Sequence, residues 1–284
     1  MKFLILGSSG MAGHVISIYL KEQGHEVTGF CRRHCSYINF VHGDVRDLKH
    51  VKNIIDAGQY DAIINAVGIL NQFAESDSEA AVFLNSYLPH YLSKITLNTK
   101  TQIIQISTDC VFSGTSGPYT EASFCDGTTT YDRTKALGEL RDNKNLTLRQ
   151  SIIGPDLSPN GIGLLNWFMQ QSEINGYTNA IWTGVTSLQL VKIIEAAVIK
   201  KIHGLIHMVP DTNISKYDLL QLLNHHLLHD TVIIHPYDYF KSDKTLIRTN
   251  HNFDYTVPDY ETMIIELSEW MNVHKALYPH YSLG

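Results

Sequence analysis

The stretch Gly7-Ser8-Ser9-Gly10-Met11-Ala12-Gly13 constrains this chain more than any other part of it. It spaces glycines as GxxGxxG immediately after the apolar run Lys2-Phe3-Leu4-Ile5-Leu6 and at the head of Met11 to Gln23, where apolar residues recur at helical spacing. A glycine triplet alone is a weak signal. Between a strand and a helix it has a physical purpose: the glycines permit a tight turn and close backbone approach, and the helix N-terminus offers free N–H groups to a pyrophosphate. Gly24 ends the helix.

The rhythm continues. Glu26 to Cys31 reads as a second strand, Tyr37 to His42 as a third, Ala62 to Val67 as a fourth, Thr101 to Thr108 as a fifth and Leu146 to Arg149 as a sixth. Val51 to Asp56 belongs to one intervening helix, and Glu79 to Leu97 forms another. Strands joined by helices in this way pair in parallel through right-handed crossovers, so the expected fold is α/β with a doubly wound parallel sheet. After Ser151 the pattern loosens. Gly154-Pro155, Ser158-Pro159-Asn160-Gly161 and Asn175-Gly176-Tyr177 are turn material, later helices are expected at Leu188 to Lys200 and Lys216 to Leu228, and His235-Pro236-Tyr237 is an aromatic, proline-containing stretch.

Composition narrows the function. With 284 residues the chain is long enough for a sizeable core in one or two domains, and 22 Lys+Arg against 28 Asp+Glu leave no basic footprint for nucleic acid or an anionic membrane. No apolar run approaches the roughly 20 residues of a membrane helix, so a cytoplasmic protein is expected. The four cysteines lack a CxxC and suit a reducing compartment. In Cys31-Arg32-Arg33-His34-Cys35 the arginines would repel a cation, and His225, His226 and His229 lack the intervening Glu of a zinc-protease helix. No metal is expected.

The end of the second strand bears on the dinucleotide. NAD binders place an acidic residue there for the ribose 2′-hydroxyl, whereas arginine suits a 2′-phosphate. Cys31-Arg32-Arg33 carries no carboxylate, and none lies between Glu26 and Asp44, which favours NADPH with Arg32 ahead of Arg33. Asp44, followed by Val45, is placed to accept from the adenine amino group. For chemistry, Tyr131 and Lys135 form YxxxK, and four-residue spacing puts them on one helix face. An ammonium beside the phenol would lower a pKa that starts near 10. Thr108 ends the fifth strand at the edge where open α/β sheets bind ligands, and can hydrogen-bond a carbonyl.

Taken together, Gly7, Gly10 and Gly13, then Asn65-Ala66-Val67-Gly68, Ser107-Thr108-Asp109 and Tyr131…Lys135, resemble an extended short-chain dehydrogenase/reductase. Ser107-Thr108-Asp109-Cys110-Val111-Phe112-Ser113-Gly114 is similar more narrowly to the dTDP-4-dehydrorhamnose reductase family, as are Trp182-Thr183-Gly184-Val185-Thr186, Ile214 to Leu220 and Asp243 to Leu246. The resemblance implies a Rossmann domain over 1–152 and a smaller substrate-binding portion over 153–284, with a segment returning to the first. It implies Thr108, Tyr131 and Lys135 as the catalytic trio and Asn85 as support for their geometry. NADP would be held by Gly7, Gly10, Met11, Gly13, Arg32, Arg33, Asp44, Val45, Ala66, Val67, Gly68, Tyr131 and Lys135. A nucleotide-sugar substrate would meet Thr108, Asp109, Cys110, Tyr131 and Trp182, with Trp167 and Tyr177 as further stacking candidates. A homodimer stays open.

Three residues depart from the family pattern. Cys110 replaces the usual Tyr, and Asp132 and Thr134 replace Gly and Ser inside YxxxK. Cys110 re-lines the sugar pocket, reads as a small hydrophobe rather than a reactive thiol, and stands where the related 4,6-dehydratases carry their catalytic glutamate, so elimination loses its base while ketone reduction does not. The expected activity is NADPH-dependent reduction at C4 of a nucleotide-linked 4-keto-6-deoxy sugar for surface polysaccharide. The alternatives are a non-catalytic NADPH-binding partner protein and a sugar-nucleotide epimerase.

Overall fold

Seven parallel strands form the central sheet of the computed structural model, which describes residues 1–282. Six come from residues 2–149: β1 (Lys2–Leu6), β2 (Glu26–Cys31), β3 (Asn39–His42), β4 (Ala62–Asn65), β5 (Gln102–Ser107) and β6 (Leu146–Arg149). In space they run β3-β2-β1-β4-β5-β6, and Gly204–Ile206 adds a seventh strand beside β6. The order reverses between β1 and β4, which opens the crevice where such sheets take ligands.

The residues of β1 show how both faces are covered. Phe3 and Ile5 point into one core with Val15 and Ile16 of helix α1 (Met11–Glu22) and with Leu190 and Ile194 of the helix Ser187–Ile199. Leu4 and Leu6 point into the other, with Val51 and Ile55 of helix α2 (Leu48–Gly58) and with Leu88 and Leu92. Side chains alternate along a strand, so a strand covered on both sides reads as a continuous apolar run. Each such side chain contributes about 1.5–3 kcal/mol by burial.

Four features differ from the sequence-based expectation. The helix expected over Glu79 to Leu97 is broken into Ser78–Ala81, a π-helical turn at Val82–Tyr87, and Leu88–Thr96. The third strand begins at Asn39. Asn175-Gly176-Tyr177 lies in the strand Glu173–Tyr177, which pairs in parallel with Ile233–Tyr237; Pro236 is tolerated because a two-stranded ribbon consists of edges, where a missing N–H costs little. A further helix, Tyr260–Val273, is capped by Asp259, whose carboxylate accepts from Thr262 N at 2.8 Å, and it buries Met263, Ile264, Leu267, Trp270 and Met271. None of the helices among the described residues is long and apolar enough to cross a membrane.

Candidate functional site

The glycine turn sits at the carboxyl edge of β1. Gly7 has φ +82°, a left-handed conformation that disfavours any side chain, and its N–H donates to Phe30 O at 2.9 Å. A Cβ at Gly13 would lie 2.1 Å from Gly7 O, so helix and turn touch through backbone alone. Gly10 caps α1 without any side-chain hydrogen bond, leaving the leading N–H groups of Met11 and its neighbours without a side-chain acceptor. That mouth fits an anionic diphosphate. Ala66 and Val67 close the other side, with Val67 Cγ2 3.0 Å from a Cβ built on Gly7.

At the end of β2, Arg32 and Arg33 are exposed. Arg32 Nη1 stands 4.0 Å from Asp44 Oδ2, and a third cation is present: Arg46 grips the same carboxylate through Nε at 3.1 Å and Nη2 at 2.6 Å. Arg46 holds the Asp44 carboxyl below its usual range. Two guanidiniums on the one Asp44 carboxylate leave net positive charge, which fits a phosphate monoester. The sequence reading overlooked Arg46, although its position two residues after Asp44 was visible. Val45 buries its side chain with Phe30 and Val51, so its backbone alone is left for a ligand.

The second half of the site is held together by Asn85, fully buried in the π turn. Its Oδ1 accepts from Ile69 N at 3.0 Å, and its Nδ2 donates to Ile69 O at 3.0 Å and to Thr134 Oγ1 at 3.1 Å. Asn85 thereby joins the exposed Gly68 loop to the helix Thr130–Leu137, which carries Tyr131 and Lys135. Single π turns of this kind often occur at functional sites. The helix starts with a reciprocal cap. Thr129 Oγ1 accepts from Asp132 N at 3.1 Å, and Asp132 Oδ2 accepts from Thr129 N at 3.2 Å.

Thr108, Tyr131 and Lys135 are each 7% exposed. Thr108 Oγ1 accepts from Cys110 N and donates to Asp109 Oδ1, both at 3.1 Å. Lys135 Nζ donates to Ile106 O at 2.6 Å. The expectation that this ammonium lowers the phenol pKa is not met. Burial pushes Tyr131 up, Cys110, Asp109 and Asp132 push the same way, and only Thr108 opposes them. Lys135 is itself drawn down to about 8 by burial, against the opposing charge of Glu139. Behind it, Glu139 accepts from Ser107 Oγ at 2.8 Å and from Arg149 Nε and Nη2 at 2.7 and 2.6 Å, fixing the end of β5.

Two lysines from the second half of the chain face this site and were not singled out from sequence. Lys216 Nζ lies 4.6 Å over the Trp182 ring, and the fields of Lys216 and Lys244 both favour the charged form of buried Asp109, whose carboxyl burial pushes up. Burial draws Lys216 down to about 8. Trp182 is 4% exposed against Tyr260. Trp167 and Tyr177 are exposed, and Tyr177 clusters with Tyr237 and Phe240. The Cys110 thiol is pushed up to about 12 by burial, which suits a small hydrophobe. A separate cavity of about 620 Å³ is lined by Thr183, Thr245, Arg248 and Tyr255. Arg248 is spent on the carbonyls of Asn250, Tyr255 and Phe253. Among the described residues no three His, Cys, Asp or Glu side chains converge as a metal site requires.

Comparison with known proteins gives a family and a set of relatives. Residues 1–152 match the model of the family described as RmlD substrate binding domain. A probable low-salt glycan biosynthesis reductase of Haloferax volcanii is 31% identical over 145 residues, 49% of this chain and 48% of that protein. A dTDP-4-dehydrorhamnose reductase of Aggregatibacter actinomycetemcomitans is 25% identical over 231 residues, covering 76% of each chain. Methionine adenosyltransferase 2 subunit beta of Xenopus tropicalis is 31% identical over 137 residues, 48% of this chain and 41% of that one. The aligned segment thus spans about half or less of the archaeal and frog relatives. Among solved structures, a dTDP-4-dehydrorhamnose reductase of Clostridium acetobutylicum superposes with a TM-score of 0.76 at 21% identity, covering 96% of this chain and all of that one. One from Bacillus anthracis, in complex with NADP, gives 0.77 at 16% identity over 94% of this chain and 98% of that one.

Proposed function

Because the chain belongs to the family of the RmlD substrate binding domain, we propose that it is an NADPH-dependent reductase acting at C4 of a nucleotide-linked 4-keto-6-deoxy sugar. The observation that carries this reading is that Asn85 ties the Gly68 loop to the helix bearing Tyr131 and Lys135, while Lys135 reaches Ile106 O at the end of β5, two residues before Thr108. Gly7, Gly10, Met11 and Gly13 would hold the diphosphate of the dinucleotide, Arg32, Arg33 and Arg46 the 2′-phosphate, and Ala66, Val67 and Gly68 the nicotinamide end. Asp44, engaged by Arg46, and the Val45 backbone would flank the adenine. When bound, the reduced nicotinamide supplies a hydride.

The chain supplies the rest. Thr108 orients the ketone through a hydrogen bond, and Tyr131 donates its proton to the oxygen as negative charge develops there. A buried phenol stays protonated at neutral pH, as an acid must. Lys135 holds the nicotinamide ribose. Asp109, Cys110 and Trp182 line the sugar side, with Lys216 and Lys244 favouring an anionic substrate. Cys110 offers no base for water elimination. The activity would serve deoxysugar nucleotide synthesis for surface polysaccharide, in the cytoplasm, with residues after 152 holding the nucleotide sugar. The test is NADPH oxidation against a panel of 4-keto-6-deoxy sugar nucleotides; turnover of one or more is expected, and no turnover with any of them contradicts the proposal.

A second reading has its own support in the 31% identity to the methionine adenosyltransferase subunit. A non-catalytic NADPH-binding partner protein would bind NADPH without turning over any sugar in that panel.

A further inference from the structure

Cys31-Arg32-Arg33-His34-Cys35 folds its two cysteines onto each other. Their sulfurs are 3.1 Å apart, and both residues are buried, at 5% and 2% exposure. Both thiols turn toward one acceptor, the Arg33 carbonyl oxygen, at 2.9 Å from Cys31 Sγ and 3.6 Å from Cys35 Sγ. Cys31 ends β2 and is fixed by the sheet. Cys35 has looser ties: Tyr37 Oη donates to its sulfur at 3.4 Å and to Ser8 O at 2.8 Å, and Ser8 Oγ lies 3.8 Å from the same sulfur. Ser8 belongs to the glycine turn, so Cys35 contacts both the arginine loop and the diphosphate cradle. Closing a disulfide, whose sulfurs lie about 2.05 Å apart, requires an approach of about 1 Å. Side-chain rotation with a small shift of the exposed loop achieves it.

We propose that Cys31 and Cys35 form a dithiol site that takes a small-molecule disulfide of the glutathione class, closing an intrachain bond that opposes NADPH binding at the adjoining arginines. In the first step one cysteine loses its proton to solvent and attacks the small disulfide, forming a mixed disulfide and releasing one thiolate, which takes up a proton. The second cysteine then displaces the remaining small thiol in the same way. Two protein thiols are oxidised, one small disulfide is reduced to two thiols, and no other oxidant is required. Drawing Cys35 toward Cys31 pulls on Tyr37 and Ser8 and turns the Arg33 carbonyl, which disturbs both ends of the dinucleotide cradle together. Burial pushes the Cys35 thiol up, so exchange is slow and belongs to equilibrium rather than to rapid sensing.

The linkage to NADPH rests on the proposed cofactor, whereas the bond does not. The experiment equilibrates the full chain in glutathione buffers of stepped ratio, then reads intact mass, alkylatable thiols, a peptide map and the NADPH dissociation constant. Oxidising buffer should remove the mass of two hydrogens, leave two of the four thiols, and yield a Cys31–Cys35 linked peptide. NADPH should bind the oxidised form at least about 5-fold more weakly, the low end of measured coupling between sites. Cys35→Ala and Cys31→Ala should take up glutathione without the two-hydrogen loss. Four alkylatable thiols at the most oxidising ratio, or the two-hydrogen loss persisting in Cys35→Ala, overturns the bond. A linked peptide with unchanged NADPH affinity overturns the linkage. A reduced protein that binds no NADPH sinks the cofactor reading instead and leaves the mass result to decide the bond.

Discussion

Lys135 stays in a buried position by donating to the Ile106 carbonyl, and its pKa of about 8 lies close to working pH. The sign follows from the charged form being the one that holds a ribose hydroxyl: the ammonium is present below about 8 and is lost as pH rises through it. We therefore expect kcat/KM for NADPH to fall on the alkaline side with a limb near 8, and Lys135→Arg, which keeps its charge there, to lose that limb. A limb that is unchanged in Lys135→Arg assigns it to another group. The arginines at the end of β2 give a second expectation. Arg32→Ala with Arg33→Ala should weaken NADPH by roughly 1.5–3 kcal/mol, the range for hydrogen bonds to a charged group, with little effect on NADH. Dissociation constants for both cofactors check it, and a double variant that keeps the full NADPH preference assigns the phosphate to Arg46. At this scale the glycines and the trio were legible because each carries a fixed spacing. Arg46, Lys216 and Lys244 were not, because nothing local says that Lys216 will lie over Trp182, 34 residues upstream, or beside Asp109. The two departures inside YxxxK also find their reason only in the fold: Asp132 completes the cap with Thr129, and Thr134 keeps a hydroxyl for Asn85.

The strand–turn–helix unit of β1 and α1 shows how far pattern reading reaches for an element. Apolar run, glycines and helical period agree there, and the observed helix begins at Met11. The helix expected over Glu79 to Leu97 fails for a physical reason: the π turn at Val82–Tyr87 inserts an irregularity that swings Asn85 inward, and 3.6-residue periodicity cannot register it. The helix Tyr260–Val273 was legible in principle from Asp259 followed by its buried apolar spacing. Close approach in the β1–α1 unit leads to a stability prediction. Gly13→Ala would place a Cβ 2.1 Å from Gly7 O and 2.8 Å from Gly7 C; backbone cannot yield as a side chain does, so a loss of at least about 1–3 kcal/mol is expected, the range for overpacking. Urea denaturation checks it, and an unchanged midpoint contradicts the contact.

Over the whole molecule, buried neutral histidines tie distant parts of the chain together. His14 donates from Nδ1 to Gly10 O at 2.9 Å and accepts from Tyr278 Oη at 2.7 Å, joining the glycine turn to the C-terminal segment. His207 accepts from Arg149 Nη1 at 3.1 Å and donates to Ile247 O at 3.0 Å. Burial draws both down to about 4. A histidine depressed in the folded state favours folding above its unfolded value of about 6.5, and that contribution is lost as pH falls toward about 4, at roughly 2 kcal/mol each by pH 5. Urea midpoints at pH 7 and pH 5 should therefore differ clearly, with the lower stability at pH 5; equal midpoints contradict neutral burial. The parallel sheet was readable at this scale because strands and helices alternate, whereas the seventh strand Gly204–Ile206 was hidden in three residues far from their partner β6. The central claim is that Tyr131 delivers the proton in a reduction. It is tested most directly by the NADPH-dependent turnover of a 4-keto-6-deoxy sugar nucleotide by Tyr131→Phe, beside its NADPH dissociation constant. The account predicts at least a ~100-fold loss of kcat, the low end for general acid catalysis, with NADPH binding kept; turnover equal to that of the unmodified chain would contradict it.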